Sequence, residues 1–173
     1  VSRMTLRQAF DILEREHLIQ SQRGRGTLVC YPRLRKQQQE MRSFTEEIRA
    51  RGGNPQSRLM RFEEVQPSAS LQNLLQLPPG QRVFRIERLR MDSSVPLAVE
   101  RVEVPCYLCP TLQQFDLARQ SLYQILESEF GLHLDRSTET ISAVKATREQ
   151  RHLLALPQGV GILRIERRAF TMH

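Results

Sequence analysis

The chain has 173 residues, 39% of them hydrophobic and 26% charged, with a formal net charge of +7. That is enough apolar material for one packed domain, or one domain with a smaller module. No apolar run approaches membrane-spanning length, the opening residues do not read as a signal peptide, and an odd set of three cysteines argues against a disulfide framework. The expectation is a cytoplasmic protein.

The charge is unevenly spread. Residues 1–36 carry eight Lys/Arg and three Asp/Glu, whereas the remainder carries 18 basic and 16 acidic residues. A basic first fifth followed by a near-neutral body fits an anionic partner, such as nucleic acid, met by the N-terminal part. Ser2 is a good helix N-cap, and Leu6, Ala9, Phe10, Ile12 and Leu13 recur at helical spacing, with Arg3, Arg7 and Gln8 on the opposite face. The helix is expected to fade near His17. Leu18–Gln22 and Thr27–Cys30 read as short strands around the glycine turn Arg23-Gly24-Arg25-Gly26. A helix followed by a basic wing suits DNA, because a recognition helix enters the major groove by its first turns and glycines let a wing tip approach the backbone. The same residues also fit a solvated amphipathic helix with an ordinary hairpin.

VSRMTLRQAFDILEREHLIQSQRGRGTLV resembles the last helix and wing of the GntR family of bacterial regulators. The resemblance implies DNA contacts from Ser2, Arg3, Thr5 and Arg7 on the helix, and from Arg23 and Gly24 at the wing. Met4 stands where relatives often carry a polar residue. It also implies that residues 1–30 are part of a winged helix-turn-helix whose first two helices would precede Val1. The intact protein would be a homodimer reading a palindromic operator.

Residues 31–43 are polar and basic, include Pro32, and read as a linker. A helix is expected from near Ser43 to Gly52-Gly53. From there an internal repeat dominates. Leu74–Arg90 and Leu153–Ala169 are offset by 79 residues and match at nine of seventeen positions. Each copy reads as strand, short helix, Leu-Pro-x-Gly turn and long strand: 58–65, 68–76 and the strand from Val83, then 137–145, 147–155 and the strand from Ile162. Two such units would build one sheet with pseudo-twofold symmetry. Met91–Ser94 turns the chain into a hairpin strand, Val95–Val104, and residues 119–130 form an amphipathic helix ended by Gly131. The fold class is α+β, a largely antiparallel sheet with flanking helices, preceded by the partial winged helix.

Arg88 and Arg90 lie two apart on a strand and share a face with Phe84 and Ile86. Apolar residues giving way to paired arginines suit a core opening into an anion pocket, and equally a solvated strand end. Arg85, Glu87 and Arg88 recur as Arg164, Glu166 and Arg167, which reads as scaffold, whereas Arg90 aligns with Ala169 and breaks the symmetry. Glu100 could accept from ligand hydroxyls or pair with a neighbouring arginine. Cys106 and Cys109 form a C-x-x-C between prolines, with no second ligand pair, so no metal and no cofactor are expected.

SFTEEIRARG, RIERLR-x(5)-P-x-A-V-E and SLYQIL resemble the UTRA effector domain of the HutC subfamily, whose fold is similar to chorismate lyase. The resemblance covers residues 44–173. It implies an effector site of Phe44, Thr45, Arg88, Arg90, Glu100, Ser121 and Tyr123, binding a small molecule such as a phosphorylated sugar or an organic acid. It further implies a last strand beyond His173 carrying another ligand-binding glutamate. The expected function is a ligand-controlled DNA-binding repressor. An alternative is a chorismate lyase-like enzyme acting on a small carboxylate, although no nucleophile–base arrangement stands out and His133 and His152 are isolated.

Overall fold

The computed structural model describes residues 2–15, 18–22, 24, 26–29, 34–38 and 42–171. Helix α1 spans Arg3–Arg15 and is followed by strands β1 (Ile19–Gln22) and β2 (Gly26–Val29). The Ser2 hydroxyl accepts from the Thr5 amide at 3.2 Å, as an N-cap should. β1 and β2 form an antiparallel hairpin, Ile19 opposite Val29, around Gly24 at φ +80° and Gly26 at φ +89°. The Glu14 carboxylate accepts from the Ser21 amide at 2.9 Å and pins helix to wing. Leu6, Phe10, Ile12 and Leu13 of the apolar face are exposed, like the whole described length of α1. Arg23, placed at the wing tip by the sequence, lies outside the described residues.

Strand β3 (Leu34–Gln38) falls within the stretch expected as a linker. The remaining elements are α2 (Phe44–Ala50), β4 (Pro55–Val65), α3 (Ala69–Leu75), β5 (Val83–Asp92), β6 (Val95–Pro105), α4 (Leu122–Phe130), β7 (Leu134–Lys145), α5 (Arg148–Leu153) and β8 (Gly161–Thr171). The helix expected over 119–130 begins at Leu122, because Ser121 takes the extended N-cap conformation.

The repeat extends to the caps. Ser68 and Thr147, 79 residues apart, cap α3 and α5 by accepting from Leu71 and Gln150 amides. Gln76 and Ala155 both adopt φ 52°, and Gly80 and Gly159 both turn through positive φ before the long strand. What is not repeated is the third strand. The described strands form two separate three-stranded antiparallel sheets, β4-β5-β6 and β3-β7-β8, rather than the single sheet expected from the repeat. In the first, β6 pairs with the long strand β5; in the second, β3 pairs with β7 on the far side from β8. Sequence identity fixes each β4–β5-type hairpin but carries no information on which of its two edges recruits a further strand.

Burial also differs between the two copies. β5 is central, and Phe84 and Ile86 are 2% and 0% exposed in a core with Leu117, Leu122, Ile125 and Leu126. Burial of each such side chain contributes about 1.5–3 kcal/mol. Their repeat equivalents on β8, Leu163 and Ile165, are 70% and 57% exposed. The other face of the first sheet carries cross-strand ion pairs, Arg85–Glu103 at 3.3 Å and Arg101–Glu87 at 2.7 Å. Cys109 is fully buried in the core, and burial pushes its thiol up to about 12, as for a packing residue. Among the described residues no cluster of metal-ligand type occurs, and no helix is long and apolar enough to cross a membrane.

Candidate functional site

A cavity of about 260 Å³ opens between β5–β6, β8 and the starts of α2 and α4. Its position follows from local sequence. Ser43-Phe44-Thr45-Glu46 is a capping box: the Glu46 amide donates to the Ser43 hydroxyl, and the Glu46 carboxylate accepts from the Ser43 amide at 2.7 Å. This fixes the first turn of α2. Its last turn is held by Gly53, where an added Cβ would meet Asp92 Oδ2 at 2.6 Å. The Asn54 amide donates to the same carboxylate at 2.8 Å. A register shift in the β5–β6 ladder immediately follows the Arg90–Ala98 pair, at the cavity wall, where bulges commonly re-aim side chains.

Arg88 and Arg90 extend the buried face of Phe84 and Ile86, and each is only 3% exposed. The solvated strand end is therefore excluded. Glu100 stands directly opposite Arg88 on β6 and accepts from it at 2.6 Å. Arg88 also donates to the Leu117 carbonyl at 3.4 Å. Arg90 is less well met. Its distance to Glu100 is 3.9 Å, it donates to the Thr45 hydroxyl at 3.4 Å, and its guanidinium lies 4.3 Å from the Phe44 ring centroid. Its Nε is buried without a hydrogen-bond partner. Burial lowers the Arg90 guanidinium to about 10; Glu100 opposes and Arg88 reinforces the shift, and the group remains a cation at neutral pH.

Ser121, the N-cap of α4, is buried on the same cavity, and its hydroxyl makes no capping bond and has no other partner. Arg90 and Ser121, the residues that bear these unsatisfied groups, both line the cavity, and each such group costs free energy until it gains a partner. The free amides at the start of α4 add a positive partial charge.

Of the seven expected effector residues, Phe44, Arg88, Arg90, Glu100, Ser121 and Tyr123 line this cavity. Thr45 instead faces an adjoining hollow of about 310 Å³ that shares Ser121, and reaches the cavity only through Arg90. Arg167, whose recurrence in the repeat reads as scaffold, also lines the cavity. Arg167 stands opposite Glu139 on the β7–β8 ladder at 2.5 Å, as Arg88 stands opposite Glu100. The recurrence is itself the signal in the sequence: both copies of the arginine, Arg88 and Arg167, line the cavity.

Comparison with known proteins completes the assignment. The UTRA domain model matches residues 50–173, and the model for bacterial regulatory proteins of the gntR family matches residues 1–29. The chain belongs to the UTRA-domain regulators of the GntR family. This UTRA regulator is 29% identical over 173 residues to the HTH-type transcriptional repressor NagR of Bacillus subtilis, spanning its own full length and 71% of NagR. It is 31% identical to the mannosyl-D-glycerate transport/metabolism system repressor MngR of Escherichia coli, over 94% of this chain and 68% of MngR. In fold it is similar to PhnF of Mycobacterium smegmatis, with a TM-score of 0.70 and 24% identity over 99% of this chain and 75% of PhnF.

Proposed function

We propose that this UTRA regulator is a repressor whose binding to operator DNA is controlled by a small anion, a sugar phosphate above all, held in the cavity between β5–β6 and β8. The single observation that carries the reading is the pair of buried, unpartnered groups, Arg90 Nε and Ser121 Oγ, on one cavity. A phosphoryl group accepts from both, while Arg88 is already paired with Glu100. The free edge of Glu100 is then available to hydroxyls on the sugar. An organic acid satisfies the same donors less fully, having fewer acceptor oxygens.

Residues 1–30 form the DNA-reading module in this proposal, with 44–173 as the sensor. Ser2, Arg3, Thr5 and Arg7 lie at the exposed N-terminal turns of α1, where a recognition helix presents its base- and phosphate-contacting side chains. Gly24 holds positive φ in the wing turn, and Arg23 supplies charge beside it. The regulator acts as a homodimer on a palindromic operator, each wing and helix meeting one half-site. It works by binding rather than catalysis: Arg88 is paired with Glu100 and Arg167 with Glu139, Arg90 is left to meet an anion, and no nucleophile–base pair lines the cavity among the described residues.

The direct test is calorimetric titration of the chain with inorganic phosphate and with glucose 6-phosphate, in wild type and Arg90→Ala. Binding that is stronger for the sugar phosphate and lost in the variant supports the reading. Equal binding by the variant removes Arg90 from the site.

A further inference from the structure

Arg167 differs from Arg90 in being fully engaged. Nε and Nη2 meet Glu139 at 2.5 Å, and Nη1 donates both to the Tyr123 hydroxyl at 3.3 Å and to the Arg42 carbonyl at 3.2 Å. These partners lie on separate parts of the chain. Tyr123 is in the first turn of α4, two residues from Ser121, and lines the cavity. Arg42 immediately precedes the Ser43 cap of α2. Glu139 lies on β7 between Arg167 of β8 and Lys36 of β3 in the ladder. One guanidinium thus joins Tyr123 at the cavity wall to Arg42, just before α2, and to Glu139 on the strand that pairs with β3.

The hydrogen-bond directions have a chemical consequence. A guanidinium only donates, so the Tyr123 oxygen is an acceptor towards Arg167. The phenolic proton is left to point elsewhere, and no acceptor for it occurs among the described residues. A bound anion in the cavity supplies one.

Resting on the reading of this cavity as an anion site, we infer that Arg167 is a positioning residue. It holds the Tyr123 hydroxyl as a donor to the bound anion, and through the Arg42 carbonyl and the β3–β7 ladder it ties the occupied cavity to Arg42 and to residues 34–38. When the anion accepts a hydrogen bond from the Tyr123 hydroxyl, the phenol oxygen becomes a better acceptor for Arg167. The guanidinium then shifts its balance between Tyr123 and the Arg42 carbonyl, and the segment feels the change. Arg167 is not the anion's main cation, since its charge is matched by Glu139.

The test is a double-mutant cycle on the whole chain with inorganic phosphate as the probe. Arg167→Lys keeps the charge beside Glu139 but cannot reach Glu139, Tyr123 and Arg42 together. Arg167→Lys and Tyr123→Phe are each expected to weaken phosphate binding about fivefold to tenfold, with the double variant no weaker than the worse single one. Amide exchange in residues 34–38 and at Arg42 is expected to change on adding phosphate to wild type and to stay unchanged in Arg167→Lys. Multiplicative effects in the cycle, or an exchange response that survives Arg167→Lys, overturn the inference while leaving the cavity's anion site standing. Failure of the wild type to bind phosphate at all overturns both. Should Arg167→Lys not fold, the pair Arg167→Gln with Glu139→Gln removes the buried charge together with its partner and gives the same readouts.

Discussion

Arg88 and Glu100 face each other directly across the β5–β6 ladder, 2.6 Å apart, the arginine 3% exposed and the glutamate open to the cavity on one side. The pair neutralises the cation that the core has drawn inward and leaves the neighbouring Arg90 as the cavity arginine without a close carboxylate of its own. Glu100→Gln is therefore expected to destabilise the fold by about 3 kcal/mol, the usual consequence of leaving a buried charge without its partner. The same change raises the positive potential at Arg90, so added phosphate should recover more stability in the variant than in wild type. Thermal denaturation with and without phosphate measures both; a variant that gains less from phosphate contradicts this account.

Arg90 governs the response to pH. Its folded value, about 10, lies below the unfolded one, so the cost of burying its charge is constant below pH 10 and relieved only above it. Sulfate, whose charge does not change over the range, should bind with the same affinity at pH 7, 8 and 9. A steep fall within that window, followed by calorimetry, would assign the binding to some other cation.

The duplicated caps make a prediction about stability alone. Ser68→Ala and Thr147→Ala should each cost about 1 kcal/mol, because each removes an acceptor from a helix-end amide. Gln76→Gly and Ala155→Gly should each add about 0.5–1 kcal/mol, because both positions hold φ 52°, where a side chain is strained. Urea unfolding midpoints decide the matter, and opposite signs for the two members of either pair would show that the repeat is not energetically equivalent.

At the DNA-reading end, Arg3→Ala or Arg7→Ala should weaken operator binding by about 1–3 kcal/mol per lost base contact and relax sequence preference. Gly24→Ala should instead act on the wing, straining φ +80° although its Cβ would meet nothing within 4 Å. Its effect should be similar on operator and unrelated DNA. Fluorescence anisotropy with both DNAs separates the two behaviours, and an equal loss on both for Arg7→Ala would place that residue on phosphate.

Much of this architecture is legible in the residues. Leu-Pro-x-Gly followed by Arg-Ile-Glu-Arg, twice, places both hairpins and their turns, and Phe84, Ile86, Arg88 and Arg90 fall on one buried face as period-two spacing requires. Two things are not legible. Leu34–Gln38 has the composition of a linker and becomes a strand because β7 offers it an edge, which is a property of the partner. Arg167 is masked by its own symmetry with Arg88. Local sequence cannot tell that two equivalent arginines from different sheets converge on one space.

The third strand of the second sheet has a practical meaning. β3 lies by sequence between the residues matched by the gntR-family and UTRA models, and by hydrogen bonding it joins the sheet of β7 and β8. A polypeptide cut at residue 43 would carry every cavity side chain and still leave the outer edge of β7 bare from Ser137 to Ile141, an open template for another chain. A fragment beginning before Leu34 is therefore expected to stay more monodisperse than one beginning at residue 44, as light scattering would show.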